Sequence, residues 1–201
     1  SLDRPNSYIG RSLPRENAKK HLDGGGQFVD DLTLPRMVHV AFLRSPFAHA
    51  EIKSINTNDA KKSDGVVDVF TAKEIDEVCK PWIGTLGHLG EMRSPEQTPL
   101  AKKIARWQGE PVAVVIADSR AQAEDALELI EVDWAEKEAQ VDMETALDSN
   151  AVVIHPDLGN NLFWTRTVNQ GDVEKAFKEA DTVVETTLDF ARHTGVTLES
   201  R

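Results

Sequence analysis

The amino-acid sequence predicts an α+β fold, on three observations. Apolar runs of strand length recur between residues 37 and 134, some of them alternating with period two. Segments with helical spacing stand between them, and two open on a Ser/Thr-x-x-Glu/Gln pattern of the kind that caps a helix. Clusters of Gly, Pro, Asn and Asp punctuate the runs.

Residues 1–26 are polar and rich in Pro, Gly and charge, and they end in Asp23-Gly24-Gly25-Gly26. This is the pattern of an irregular lead-in that wraps other structure. Residues 37–43 are apolar, partly β-branched and bounded by Arg44-Ser45-Pro46, so they read as a buried strand. In residues 50–55, Ile52 faces away from Glu51 and Lys53, as in a second strand, and residues 66–70 have the composition of a third. Between these two, capping residues from Asn56 and the later Gly65 bracket a short helix whose charges face water.

Thr71 and Glu74 are spaced to satisfy each other's orphan amide donors and to open another short helix. Residues 80–100 carry Pro81, Gly84, Gly87, Gly90, Pro95 and Pro99 without a sustained period. The longest irregular segment is expected there, and long loops often serve interfaces. Residues 111–117 read as a fully buried strand with Pro111 at its first position, where no ladder donor is needed. Ser119 and Gln122 form the second capping box, and Ala123, Ala126, Leu127 and Ile130 then make one apolar stripe. A strand follows at 131–134, and a short helix is expected from Asp142 through Leu147.

Beyond a turn-forming stretch at 148–161, residues 162–168 read as a strand. Asp172 caps a helix with Val173, Ala176 and Phe177 on one face, and residues 182–190 alternate as a last strand. The domain scheme is therefore a lead-in at 1–26, a domain at 27–147, a linker at 148–161 and an incomplete β-α-β piece at 162–201. The chain opens on Ser1 and closes on Leu198-Glu199-Ser200-Arg201 without a polar tail, and both ends read as cut ends. The edge of the last strand would lie open, so self-association is expected.

Composition narrows the function. With 23 Lys plus Arg against 34 Asp plus Glu the net charge is -11, which repels nucleic acid and anionic lipid. No signal peptide and no long apolar stretch is visible, so neither membrane insertion nor export is expected. Cys79 is the sole cysteine, which precludes an intrachain disulfide or a Cys-rich cluster and suits a reducing cytoplasm. An iron–sulfur cluster would have to sit on a partner.

The candidates for chemistry are few. No two of His21, His39, His49, His88, His155 and His193 share the i, i+4 spacing of paired metal ligands. Gly24, Gly25 and Gly26 lack the Lys-Ser/Thr ending and the strand and helix of a phosphate loop, and read as a flexible bend. Glu124, Asp125, Glu128 and Glu131 fall on or just past the wet side of an amphipathic helix. Arg44 and His49 could line a substrate funnel or fix the Pro46 turn, and the turn needs only local bonding. Trp82, Trp107, Trp134 and Trp164 suit core or interface anchors, and His39 a satisfied strand histidine.

Specific strings add a resemblance. Gly26-Gln27-Phe28-Val29-Asp30-Asp31, then Leu34-Pro35-Arg36-Met37 and Arg44-Ser45-Pro46-Phe47-Ala48-His49-Ala50, resemble the entry to the aldehyde oxidase and xanthine dehydrogenase α/β-hammerhead domain. Arg106 with Gly109-Glu110-Pro111-Val112-Ala113, Ala121-Gln122-Ala123-Glu124-Asp125-Ala126 and Glu131-Val132-Asp133-Trp134 resemble its closing strand-helix-strand. Gly171-Asp172-Val173-Glu174-Lys175-Ala176-Phe177 and Leu198-Glu199-Ser200-Arg201 are similar to the opening of the molybdopterin-binding domain, closest to carbon monoxide dehydrogenase-like large subunits. Glu110 stands where the family usually has Gln, and Ser200 where it has Pro.

The resemblance implies the amino-terminal part of a molybdenum-cofactor-binding catalytic subunit. Such an enzyme oxidises an aldehyde, an N-heterocycle or carbon monoxide with water-derived oxygen and passes two electrons to flavin. It implies that most pterin contacts and the catalytic base lie outside these residues, so no catalytic, cofactor-binding or metal residue is assigned, and the fragment itself is expected to be inactive. A family segment near Arg192 and His193 approaches the pterin, without a ligand being assigned here. FAD and 2Fe-2S are expected on partner subunits or domains, beside the remainder of the molybdenum-binding subunit and a small-molecule substrate. The alternative is a free-standing, non-catalytic binding or assembly module with the same fold.

Overall fold

The computed structural model describes residues 12, 14–84, 86, 88–191 and 195. Two compact units divide the chain, one formed by Ser1–Arg36 with Asp181–Arg201 and one by Met37–Ala180. The first holds a one-turn helix, α1 (Ala18–Leu22), and a 3-10 turn at Val29–Asp31. The segment expected to be mostly irregular thus includes one helical turn. Its glycines close α1: Gly24 and Gly25 donate to the carbonyls of His21 and Lys20, at 3.2 and 2.9 Å.

The larger unit is built from eight strands and three helices among its described residues. The strands are β1 (His39–Arg44), β2 (Ala50–Asn56), β3 (Val66–Thr71), β4 (Trp82–Ile83), β5 (Glu96–Gln97), β6 (Ile104–Ala105), β7 (Pro111–Ala117) and β8 (Glu131–Glu136). The helices are α2 (Ala72–Val78), α3 (Arg120–Leu127) and α4 (Val173–Glu179). Three open sheets result, ordered β1-β7-β3, β6-β2-β8 and β4-β5, with every pairing antiparallel.

β7 lies in the middle of its sheet because its continuous apolar run can be covered on both faces. Val115 sits opposite Ala41 on one side and Val69 on the other. On one face, Ala123 and Ala126 of α3 pack with Ala41, Val69 and Val115, and their small side chains let the helix approach closely. Val114 turns the other way, onto Leu100 and Ala72. Val112 meets Ile52 and Ala101 with half-buried Trp134, which joins the core of the second sheet. Val69, Val112 and Val115 are fully buried, each contributing about 1.5–3 kcal/mol by transfer from water.

The caps act as the sequence predicts, with one difference. Thr71 N donates to Glu74 Oε2 (2.8 Å), the Thr71 hydroxyl donates to the same oxygen (2.7 Å), and Lys73 N donates to Thr71 Oγ1 (3.3 Å). That hydroxyl bond is the main cause holding the Glu74 carboxyl below its usual range. At α3 only half a box forms. Gln122 N donates to Ser119 Oγ (3.3 Å), but the Gln122 side chain accepts from the Ser119 hydroxyl (2.7 Å) instead of reaching back to its amide. Gly65, with φ +74°, lies against Gln122, and a Cβ there would come within 2.1 Å of the Gln122 amide nitrogen. A side chain there would have to displace the Gln122 amide and hold a strained left-handed backbone.

Three expectations are corrected. The helix expected after Asn56 shrinks to a 3-10 turn at Ala60–Lys62. No helix forms from Asp142 to Leu147. Asp142 Oδ1 accepts from Glu144 N (2.9 Å), a local turn that competes with the helix, and so few residues do not offset helix nucleation. Residues 162–168 and 182–190 carry no strand, since alternation marks a face but a ladder needs a partner backbone. Of the trailing β-α-β piece only α4 forms, with Asp172 Oδ1 accepting from Lys175 N at 3.0 Å. Edge pairing through 182–190 therefore has no preformed ladder to start from.

Candidate functional site

The turn from β6 to β7, residues 106–110, forms part of the wall of the main cleft. Arg44 and Ser45, at the end of β1, dock on it. Ser45 N donates to Glu110 O and Gly109 N donates to Ser45 O, both at 2.8 Å, and the Arg44 guanidinium donates to Gly109 O at 2.9 Å. Buried Ser45 also closes its own turn, its hydroxyl donating to Phe47 O at 2.9 Å. His49 is buried, and its Nδ1 donates to Glu138 O at 2.6 Å, which fixes the proton on that nitrogen because a carbonyl only accepts. Arg44 and His49 thus anchor the end of β1 and the start of β2 to carbonyls 65 and 89 residues away, while only Ser45 makes the local bond of the Pro46 turn.

The cleft has a volume of about 1040 Å³ and lies within the larger unit. Its walls include Trp82, Trp107, Arg106, Glu110, His155 and Leu158. Glu110 Oε2 accepts from Arg106 N at 2.5 Å, pinning the turn, while the Arg106 guanidinium donates to Ile154 O at 3.2 Å across the cleft. Burial pushes the Glu110 carboxyl above its usual range against the pull of that bond and of the Arg106 charge. Burial also holds the His155 imidazole below its usual range, reinforced by the Arg106 charge and opposed by Asp157.

A carboxyl biased toward its protonated form and an imidazole biased toward neutrality make a wall that can exchange hydrogen bonds with a ligand. They form no nucleophile–base pair. Because the folded Glu110 pKa is raised, its stability contribution is intact below the unfolded value near 4.5 and is lost as pH rises through the folded pKa. Glu110→Gln keeps an acceptor for Arg106 N and removes the charge. It is expected to raise stability at pH 7 by no more than about 1 kcal/mol, the screened range for a half-exposed group, and to leave it unchanged at pH 3. Thermal melts at both pH values check this.

The other residues singled out in the sequence scatter. Trp134 packs edge-on against Phe47, with centroids 5.8 Å apart, whereas Trp82 and Trp107 stand about half exposed at the cleft. Trp164 Nε1 donates to Gly90 O at 3.1 Å. His39 lies on β1, and His21 stacks on Phe28 in the smaller unit. Glu124, Asp125, Glu128 and Glu131 are exposed, as their helix face predicts. Arg192 and His193 lie outside the described residues. Among the described residues no three His, Cys, Asp or Glu side chains are grouped to hold a metal ion, and no helix is long and apolar enough to cross a membrane.

The family described as aldehyde oxidase and xanthine dehydrogenase, a/b hammerhead domain, has a model that matches residues 23–138. The chain belongs to this family. It is similar to the nicotine 6-hydroxylase large subunit of Paenarthrobacter nicotinovorans, 30% identical over 208 residues that take in 100% of this chain and 25% of the relative. It is also similar to the xanthine dehydrogenase molybdenum-binding subunit of Escherichia coli O157:H7, 30% identical over 83% of this chain and 22% of that subunit. Among solved structures, a Cu,Mo-CO dehydrogenase in its carbon monoxide reduced state superposes with a TM-score of 0.69 and 31% identity, over 86% of this chain and 23% of that one. The chain spans about a quarter of the length of these relatives.

Proposed function

We propose that this chain is the amino-terminal part of the molybdenum-binding large subunit of a molybdenum hydroxylase. The observation that supports the reading is coverage: 100% of the chain aligns with 25% of a hydroxylase large subunit. In this reading residues 27–147 are the hammerhead domain, 148–161 lead out of it, and 162–201 open the molybdopterin-binding domain. The whole enzyme oxidises a small molecule, an N-heterocycle, an aldehyde or carbon monoxide, with water-derived oxygen. Its electrons pass to FAD and 2Fe-2S centres on partner subunits, in the cytoplasm.

Among the described residues no three His, Cys, Asp or Glu side chains are grouped to ligate a metal ion. On the family resemblance we assign the pterin and its metal to the remainder of the subunit and derive no chemical step from this chain. The test is to express the full reading frame with its neighbouring subunit genes and follow dye reduction with N-heterocycles, xanthine, aldehydes and carbon monoxide. Turnover of at least one class is expected. A correctly assembled, cofactor-loaded complex inert toward all four would overturn the reading.

A further inference from the structure

Residues 151–161 look like a linker by composition and 162–164 like the start of a strand, yet their hydrogen bonds run back to earlier parts of the larger unit. Arg93, in the irregular segment before β5, carries three of them. Its backbone N–H donates to Phe163 O at 2.9 Å, its guanidinium donates to Asn160 Oδ1 at 3.2 Å, and it also donates to Leu158 O. Trp164 Nε1 reaches Gly90 O, and Arg106 holds Ile154 O from the other end. Asn161 ties the segment to itself, donating to Val152 O (2.9 Å) and accepting from Ile154 N (3.0 Å), and to the preceding turn, donating to Ala146 O (3.0 Å).

We propose that residues 151–164 are a strap latched by the forked guanidinium of Arg93, and that the latched strap is what closes the far side of the cleft. His155 and Leu158 of the strap line the main cleft, and the same two residues with Leu162 and Phe163 line a neighbouring cavity of about 300 Å³. Both spaces share the strap as a wall, so releasing it opens both. The latch suits arginine because a planar guanidinium donates in two directions at once, whereas an ammonium is a single point. The acceptors are aligned by the 3-10 turn Pro156–Leu158, which ends at Gly159 with φ +79°. This inference is independent of the proposed enzyme activity, since it concerns only bonds within the larger unit.

The test is amide hydrogen exchange on the 201-residue chain. In the unmodified chain the amides of Arg93 and Ile154 are expected to exchange well below the rate of those at 149 and 150, which donate no hydrogen bond in the structure. In Arg93→Ala the amides at 93 and 154 are expected to speed up about tenfold or more, while β7 amides stay protected. Arg93→Lys, which keeps charge and loses the fork, is expected to behave like the alanine variant. Protection retained in Arg93→Ala, or restored by lysine, overturns the forked latch. If Arg93→Ala also exposes β7, the unmodified chain decides: unprotected amides at 93 and 154 there overturn the strap.

Discussion

Val115→Asp is expected to abolish folding of the larger unit. Val115 is fully buried at the centre of β7, between Ala41 and Val69, and faces α3 through Ala123 and Ala126. A carboxylate there meets only apolar neighbours, and an unpaired buried charge costs roughly 4 kcal/mol or more. A domain of this kind has a total stability of about 5–15 kcal/mol, so the loss approaches the whole. Val115→Ala is the control, expected to cost about 2 kcal/mol and to leave a cooperative transition. Circular dichroism and urea titration of the two variants check the pair. A folded Val115→Asp protein of near-parental stability would mean that β7 is not the centre of the core.

The second large effect is a complete loss. The 201-residue chain alone is expected to show no dye reduction with xanthine, aldehydes, N-heterocycles or carbon monoxide, even when produced in cells that make molybdenum cofactor. The cleft offers a pinned carboxyl and an imidazole that burial holds below its usual range, and its arginine turns Nε and Nη1 to the backbone carbonyls of Ile154 and Ile104. Electron transfer away from a substrate would further need centres that a single exposed cysteine cannot hold. Substrate-dependent turnover by this chain would show that a working centre is contained in these residues.

The fold was legible where local chemistry and tertiary demand agree. The run at 111–117 has one use, a covered central strand, and Thr71 with Glu74 brings its own partner three residues away. The strands at 39–44, 50–56 and 131–136 follow from composition and alternation for the same reason. Legibility failed where a bond partner lies far along the chain. Arg93 finds Leu158 and Asn160, and Arg106 finds Ile154, across separations that no period encodes. The strap was therefore read as a linker followed by the start of a strand, and the cleft it walls was missed. Glu110 alone gave a signal, as a departure from the family's usual Gln, and His155 gave none beyond a turn. Residues 162–168 and 182–190 failed in the opposite sense, since the strand signal of the first and the alternation of the second meet no strand ladder among the described residues.

The central claim, that this chain is one part of a molybdenum-binding subunit whose cofactor is held elsewhere, is tested most directly by metal analysis. Molybdenum would be quantified by mass spectrometry in two purified proteins from the same cofactor-producing host, the 201-residue chain and the full-length subunit. The account predicts near-stoichiometric molybdenum in the full-length subunit and only background in the chain. Stoichiometric molybdenum in the 201-residue chain, or none in a folded full-length subunit, would contradict it.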